Sequence, residues 1–167
     1  MRRKRRLVGL LGAVIVAIGL AASRQGAGPP AVAGGNAAVV RIVDGDTLVV
    51  TGGVRVRLIG INTPESVDPR RPVECFGQEA SAALARLVPP GTPVRLDYDV
   101  ERTDDFGRTL AYLYRTSDGL FVNAALVEGG YAQPATYPPN VAHAGEFAAL
   151  ADQARERNAG LWSVCSH

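Results

Sequence analysis

Apolar and polar residues change their spacing several times along this chain, and each change marks an element. An uncharged run from Leu7 to Ser23 follows the cationic stretch Met1-Arg-Arg-Lys-Arg-Arg6. Residues 24–36 are then rich in Gly, Ala and Pro, the composition of a flexible linker. Near Ala38 the pattern becomes that of strands. Val39–Val43 and Leu48–Thr51 are β-rich with Asp44-Gly45 as a turn between them, and Gly52-Gly53 makes a second hairpin turn into Val54–Ile61. In that third segment Val54, Val56 and Leu58 alternate with Arg55 and Arg57, which puts both arginines on one face. Ala80–Val88 predicts a helix, stopped by Pro89-Pro90-Gly91, and Val94–Val100 and Thr109–Arg115 predict two more strands. Asn123–Glu128 predicts a short helix ended by Gly129-Gly130. The stretch from about His143 to Asn158 predicts a longer amphipathic one, with Gly160 past its end.

Five strands and three α-helices in this arrangement predict an α+β fold, a small closed five-stranded barrel of the OB-fold class with helices packed outside. At 167 residues the chain has room for one compact domain and an appendage. Residues 1–23 read as a signal peptide or N-terminal membrane anchor, 24–37 as the linker, and 38–167 as the domain. Ala31-Val32-Ala33 before Gly34 offers a small-residue cleavage site, Ala21-Ala22-Ser23 a competing one, and an uncleaved anchor through residues 7–23 is the other reading. All of these leave the leading charges in the cytoplasm and place the domain outside it, secreted or tethered.

The leader distorts the charge balance. Six of the 18 basic residues lie in or beside it, leaving 12 against 16 acidic ones, a net charge of about −4 carried without any lysine. A phosphate-bearing partner must therefore be met by locally concentrated arginines, and tight non-specific DNA binding is disfavoured. Two cysteines, Cys75 and Cys165, favour a disulfide in an exported chain. It would close a loop of about 90 residues and contribute about 4–5 kcal/mol in the chain-entropy view. Two unrelated buried thiols are the alternative. The only histidines, His143 and His167, make no zinc pattern with them. His143 is expected to be structural near a helix N-terminus, and Trp162 to pack the tail onto the barrel.

Three polar clusters carry the candidate chemistry: Asp44-Gly-Asp-Thr47, Arg57-Leu-Ile-Gly-Ile-Asn-Thr-Pro-Glu65 and Arg102-Thr-Asp-Asp-Phe-Gly-Arg108. A hard divalent cation takes oxygen ligands, and Asp46, the side-chain carbonyl of Asn62 and the backbone carbonyl of Thr63 can supply three. Glu65 is then free to polarise a water as general base. Arg57 and Arg108 can make bidentate bonds to phosphate and stabilise charge in a transition state. Each cluster alone is an ordinary turn or strand connection. Their joint occurrence on these elements points to phosphodiester hydrolysis.

These blocks, with Phe76-Gly-Gln-Glu-Ala-Ser81, the continuation Arg108-Thr-Leu-Ala-Tyr112, Val122-Asn-Ala-Ala-Leu-Val127 and Gly160-Leu-Trp162, resemble the staphylococcal-nuclease-like (thermonuclease) family from about Val39 to Trp162. The resemblance implies an OB-fold barrel with three helices, Ca²⁺ dependence, and cleavage of DNA and RNA leaving 3′-phosphates, by a chain expected to act as a monomer without a stable protein partner. It assigns Asp46 as a calcium carboxylate, Thr63 as a backbone-carbonyl ligand, Glu65 as general base, Arg57 and Arg108 as phosphate-binding residues, and Asp104 as a residue that steadies its turn. Several positions depart from the family. Its second calcium carboxylate is Asn62 here, which implies weaker calcium binding or a broader metal preference. Its phosphate-contacting lysine and tyrosine are Asp105 and Phe106, and a substrate-contacting tyrosine is Ala135, although Tyr137 nearby matches another. These changes keep a second reading open: a catalytically weak or inactive module on the same fold that binds nucleic acid or protein.

Overall fold

The structure is a computed structural model that describes residues 32–165 except Arg71; the predicted leader and most of the linker lie outside the described residues. Five strands close a barrel in the order β1 (Val32–Ile42), β2 (Thr47–Val50), β3 (Val54–Leu58), β6 (Thr109–Arg115), β5 (Pro93–Tyr98). All neighbours are antiparallel except β3 and β6, which run parallel. The five-stranded barrel expected from the hydrophobic pattern is therefore the observed one.

The barrel closes through β1. Its first half pairs with β5, from Val32 opposite Tyr98 to Ala38 opposite Pro93, and its second half pairs with β2. Register shifts between Ala33 and Asn36 and between Val39 and Arg41 turn the strand from one neighbour to the other, as bulges do at barrel corners. The strand thus begins earlier than the pattern of large apolar residues indicates. Small residues join a ladder through backbone hydrogen bonds alone, without leaving an alternating hydrophobic trace.

The segment expected to run unbroken from Val54 to Ile61 is two strands. β3 ends at Leu58, and β4 (Gly60–Asn62) leaves the barrel to pair with β7 (Gln133–Ala135). Gly60 sits at φ 78°, and a Cβ there would stand 2.4 Å from the ring of Phe147, so the position excludes any side chain. The amide of Asn123, fully buried, holds this bend: its Nδ2 donates to the carbonyl of Ile59 at 2.9 Å, while its Oδ1 accepts the Leu113 amide at 3.0 Å. Both backbone groups would otherwise be buried without partners.

Inside the barrel, Val39, Leu48, Val50, Val56, Leu58, Val94 and Leu113 form one apolar cluster. The helices α1 (Gly77–Leu87), α2 (Val122–Glu128) and α3 (Ala144–Glu156) add Leu84, Leu126 and Phe147 to it. A one-turn helix, α4 (Leu161–Val164), follows and was not anticipated by the pattern. Cys165 just beyond it is joined to Cys75 by a disulfide. His143 lies among Tyr112, Phe121 and Phe147, with ring centroids 4.4, 4.8 and 5.8 Å away, which fits a structural role. Trp162 lies under the guanidinium of Arg155, so at this point the tail meets α3.

Asn123→Ala should cost about 2–4 kcal/mol, because it orphans one buried carbonyl and one buried amide. Urea unfolding monitored by circular dichroism checks this; Asn123→Asp, which sets a buried carboxylate oxygen against the Ile59 carbonyl, should cost at least as much as Asn123→Ala.

Candidate active site

The first polar cluster is the turn between β1 and β2. The amides of Val43 and Asp44 donate to the carbonyl of Thr47 at 2.9 and 3.2 Å, and the amide of Asp46 donates to Asp44 Oδ1 at 3.1 Å. The turn is docked on the end of β3 because the Leu58 amide donates to the carbonyl of Asp46 at 2.8 Å. Asp46 is thereby buried, with its carboxylate directed at the chain leaving the barrel. Its Oδ2 accepts the Thr63 amide at 2.9 Å and forms an ion pair with Arg57, and its Oδ1 accepts the Thr47 hydroxyl at 3.2 Å.

Arg57 projects from β3 beside this carboxylate. Its Nη2 donates to Asn62 Oδ1 at 3.0 Å and to the carbonyl of Ile61 at 3.3 Å, and Asn62 Nδ2 donates to the carbonyl of Thr63 at 3.3 Å. Burial, reinforced by the like charge of Arg108, pushes the Arg57 guanidinium down to about 10, so it remains cationic at neutral pH. Arg108 is set by its own loop. Asp104 Oδ1 accepts the amides of Phe106 and Arg108 at 3.0 and 2.9 Å, and Oδ2 accepts Arg108 Nε at 2.7 Å. Burial works to raise the Asp104 carboxyl, but these bonds and the positive charge of Arg108 prevail and hold it below the usual carboxylate range.

Glu65 follows β4 at the mouth of a loop. Its Oε1 accepts three successive amides, from Ser66, Val67 and Asp68, at 2.8, 2.7 and 3.1 Å. These donors, that of Val67 foremost, hold the carboxyl below the ordinary glutamate value against the opposing effect of burial.

Asp44, Asp46, Arg57, Asn62, Thr63, Pro64, Glu65 and Arg108 together line one depression of about 220 Å³. All six residues read from the sequence as metal ligands, base or phosphate-binding arginines meet there. Asp44 was read only as part of a turn. Its sign in the sequence is the two-residue spacing to Asp46, which places both carboxyls on the same side of a tight turn. A larger cavity of about 530 Å³ adjoins this depression and shares Arg57 and Arg108 with it. Asp105, Phe106 and Tyr137 line that cavity, together with the apolar Ile59 and Leu110. Ala135 lies on β7 and lines neither.

The donors suit a hard divalent cation. All of them are oxygens, and the depression holds three acids, Asp44, Asp46 and Glu65, against two arginines. Burial pushes the Asp44 carboxyl up, as expected of an anion short of countercharge that a cation would supply. The carbonyls of Asn62 and Thr63 each accept one hydrogen bond already and keep a second lone pair. Among the described residues no three His, Cys, Asp or Glu side chains converge as a ready-made cage, so neutral oxygens, water and substrate would complete the shell.

The fold and site define a class: a closed five-stranded α+β barrel with a depression lined by oxygen donors and two arginines. A family model described as staphylococcal nuclease homologue matches residues 55–164. The chain is 35% identical over 128 residues to the thermonuclease of Staphylococcus hyicus, covering 75% of this chain and 74% of that protein. Against the thermonuclease of Staphylococcus intermedius it is 37% identical over 127 residues, 74% of each. It is 38% identical over 128 residues to the SPbeta prophage-derived endonuclease YokF of Bacillus subtilis (strain 168), which covers 74% of this chain but 42% of that protein. The chain belongs to the staphylococcal nuclease family.

Asp104→Ala should free Arg108 from its two bonds to that carboxylate. The expected result is a several-fold higher KM for polynucleotide with folding stability changed by less than about 1 kcal/mol, since the pair is partly exposed; initial-rate kinetics and thermal melts check both.

Proposed function

We propose that this chain is an exported, metal-dependent nuclease that hydrolyses phosphodiester bonds of DNA and RNA with little sequence preference. The observation that carries the reading is the single depression where Glu65, Arg57, Arg108 and the oxygen donors meet. The thermonuclease and endonuclease names of its relatives support it, and the cationic and apolar leader supports export.

Asp46, Asn62 and Thr63, with Asp44 beside them, would hold the cation, and Ca²⁺ is the one we assign. When bound, it would add Lewis-acid charge next to a phosphoryl oxygen and lower the pKa of water. The chain's own groups do the rest. Arg57 and Arg108 grip the scissile phosphate and neutralise the charge that builds on its oxygens as the trigonal-bipyramidal transition state forms. Oε1 of Glu65 is occupied by loop amides, which fix the carboxylate and leave Oε2 to take a proton from the attacking water. Attack in line expels the 5′-oxygen and leaves a 3′-phosphate. The Arg57 bonds to Asp46 and Asn62 keep the guanidinium in place between substrate encounters, and exchange in part for phosphate oxygens.

A second reading has one observation in its favour. Three amides on Glu65 lower its basicity, and Asn62 contributes an oxygen without a charge, which together describe a module that binds nucleic acid and cleaves it slowly. Turnover decides between the two. Cleavage of single-stranded and duplex DNA should require calcium and stop with EDTA. Asn62→Asp should tighten calcium binding and raise the rate at limiting calcium. Calcium-independent binding without cleavage in both proteins would select the module.

Glu65→Gln should lower kcat by about 10²–10⁴, the range for removing a general base, with the fold intact by circular dichroism. The pH dependence follows from the sign of its shift. The carboxylate is stabilised in the folded protein, so it stays ionised below the ordinary value of about 4.3; its contribution to stability is complete above that value and is lost as pH falls from there through the lowered folded pKa. At saturating calcium the acid limb of kcat/KM assigned to Glu65 should therefore lie below pH 4.3, as a pH–rate profile would measure.

A further inference from the structure

We infer that the Cys75–Cys165 disulfide is a positioning device for Glu65, so that the rate of hydrolysis depends on the redox state of this bridge. The inference rests on Glu65 serving as the general base.

Side-chain bonds to residues 66–68 fix the carboxylate of Glu65 within its own loop, but its backbone is held from the far end of that loop. The amide of Glu74 donates to the carbonyl of Glu65 at 2.8 Å, and the amide of Glu65 donates to Glu74 Oε2 at 3.0 Å. Helix α1 then starts against the same carbonyl: a Cβ on Gly77 would lie 2.7 Å from Glu65 O. Residues 74–77 therefore form the wall against which the catalytic residue is set.

Beyond these contacts the wall is held by the first turn of α1, where the amide of Gly77 donates to the Glu74 carbonyl at 3.0 Å and that of Ala80 to the Phe76 carbonyl at 3.0 Å. Glu74 and Cys75 are exposed, and no helix or strand lies among the described residues between Asn62 and Gly77. Phe76 adopts φ 71°, a left-handed conformation that a bulky aromatic residue takes only when its surroundings impose it. Two contacts impose it here. The Phe76 ring stacks on Tyr131 with centroids 5.7 Å apart, and the adjacent Cys75 is bonded to Cys165. Cys165 is itself anchored: its amide donates to the carbonyl of Leu161 at 2.9 Å, and Leu161, buried, donates its amide to the carbonyl of Gly130 at 2.9 Å. The path runs by a hydrogen bond from the α2–β7 connection to α4, and from there covalently through the bridge to the residue next to Glu74.

A dithiol reductant can open this path. Its thiolate attacks one sulfur to form a mixed disulfide and expels the other as a thiolate. Its second thiol then closes the oxidised reductant and releases the second cysteine. Residues 74–76 would then be left with exposed backbone bonds and a strained Phe76, the features of a segment that opens locally. A base displaced by about an ångström loses on the order of 10²-fold in rate, while phosphate binding by Arg57 and Arg108, which are held by Asp46 and Asn62 and by Asp104, is untouched.

The test compares the oxidised protein with the same protein reduced by dithiothreitol and alkylated, at saturating calcium, on single-stranded DNA. Reduction is expected to lower kcat by about tenfold or more with KM changed by less than about threefold, and to speed amide hydrogen exchange at Ser66, Val67 and Asp68. Equal kcat in the two forms would overturn the inference. Glu65→Gln measured in both forms separates this from the reading it rests on. If Glu65 is the base, reduction should slow Glu65→Gln far less than the wild type. If reduction slows both equally, the bridge does not act through Glu65. If Glu65→Gln is as active as the wild type, the assignment of the base fails whatever the bridge does, and the inference falls with it. Glu74→Ala keeps the bridge and removes one of the two backbone tethers. It should lower kcat several-fold, and an unchanged kcat would overturn the inference even where the reduced protein unfolds.

Discussion

The carboxylate of Asp46 is the point at which three separate stretches of chain are brought to one place. It is buried, and a buried anion is stable only when its oxygens are met by donors or positive charge. Those partners are the Thr63 amide, the Thr47 hydroxyl and the Arg57 guanidinium, from the chain leaving the barrel, from β2 and from β3. Satisfying one charge therefore sets the separation of the β1–β2 turn from the segment 62–65, and with it the position of every oxygen proposed as a cation ligand. A carboxylate used in this way is both a structural clamp and the first component of the site.

Charge in the depression is poised rather than balanced. Three acids and two arginines leave room for a cation, and the charge of Arg108 adds to burial in lowering the charge stability of Arg57. Arg108 is kept in place by Asp104, whose side chain binds two amides of the same loop and so makes that loop rigid about the guanidinium. With the domain net acidic, such local concentration is how a phosphate is met without an extended basic surface. The cost is a weaker long-range attraction for polynucleotide, and Asp105 on the wall of the adjoining cavity adds to it.

The disulfide and the bend at Gly60 solve one problem from two ends. Loop 63–76 is long and has no helix or strand among its described residues, so Glu65 would wander unless both ends were fixed. One end is set where β4 leaves the barrel, by the amide of Asn123 and the ring of Phe147 over Gly60. The other is set by the bridge to Cys165 and by α1. The loop that carries Glu65 is thus held by core packing on one side and by a covalent link on the other.

Much of this was legible in the chain. Alternation of side chains with solvent is a local property, so the five barrel strands, three main helices and the shared face of Arg55 and Arg57 followed from periodicity. The polar clusters named Asp46, Arg57, Asn62, Thr63, Glu65 and Arg108 by residue chemistry. The break at Gly60 was not legible, because Ile59 and Ile61 continue an apolar run and the reason to turn is Phe147 and Asn123, some 60 to 90 residues on. The start of β1 was hidden because small residues pair through their backbones without a hydrophobic trace. Asp44 looked like an ordinary turn residue until the fold set it in the same depression as Glu65. Composition and periodicity determined which residues exist to do chemistry and which elements carry them. The tertiary structure alone decided which of them share a site, because that depends on how buried polar groups find partners across the fold.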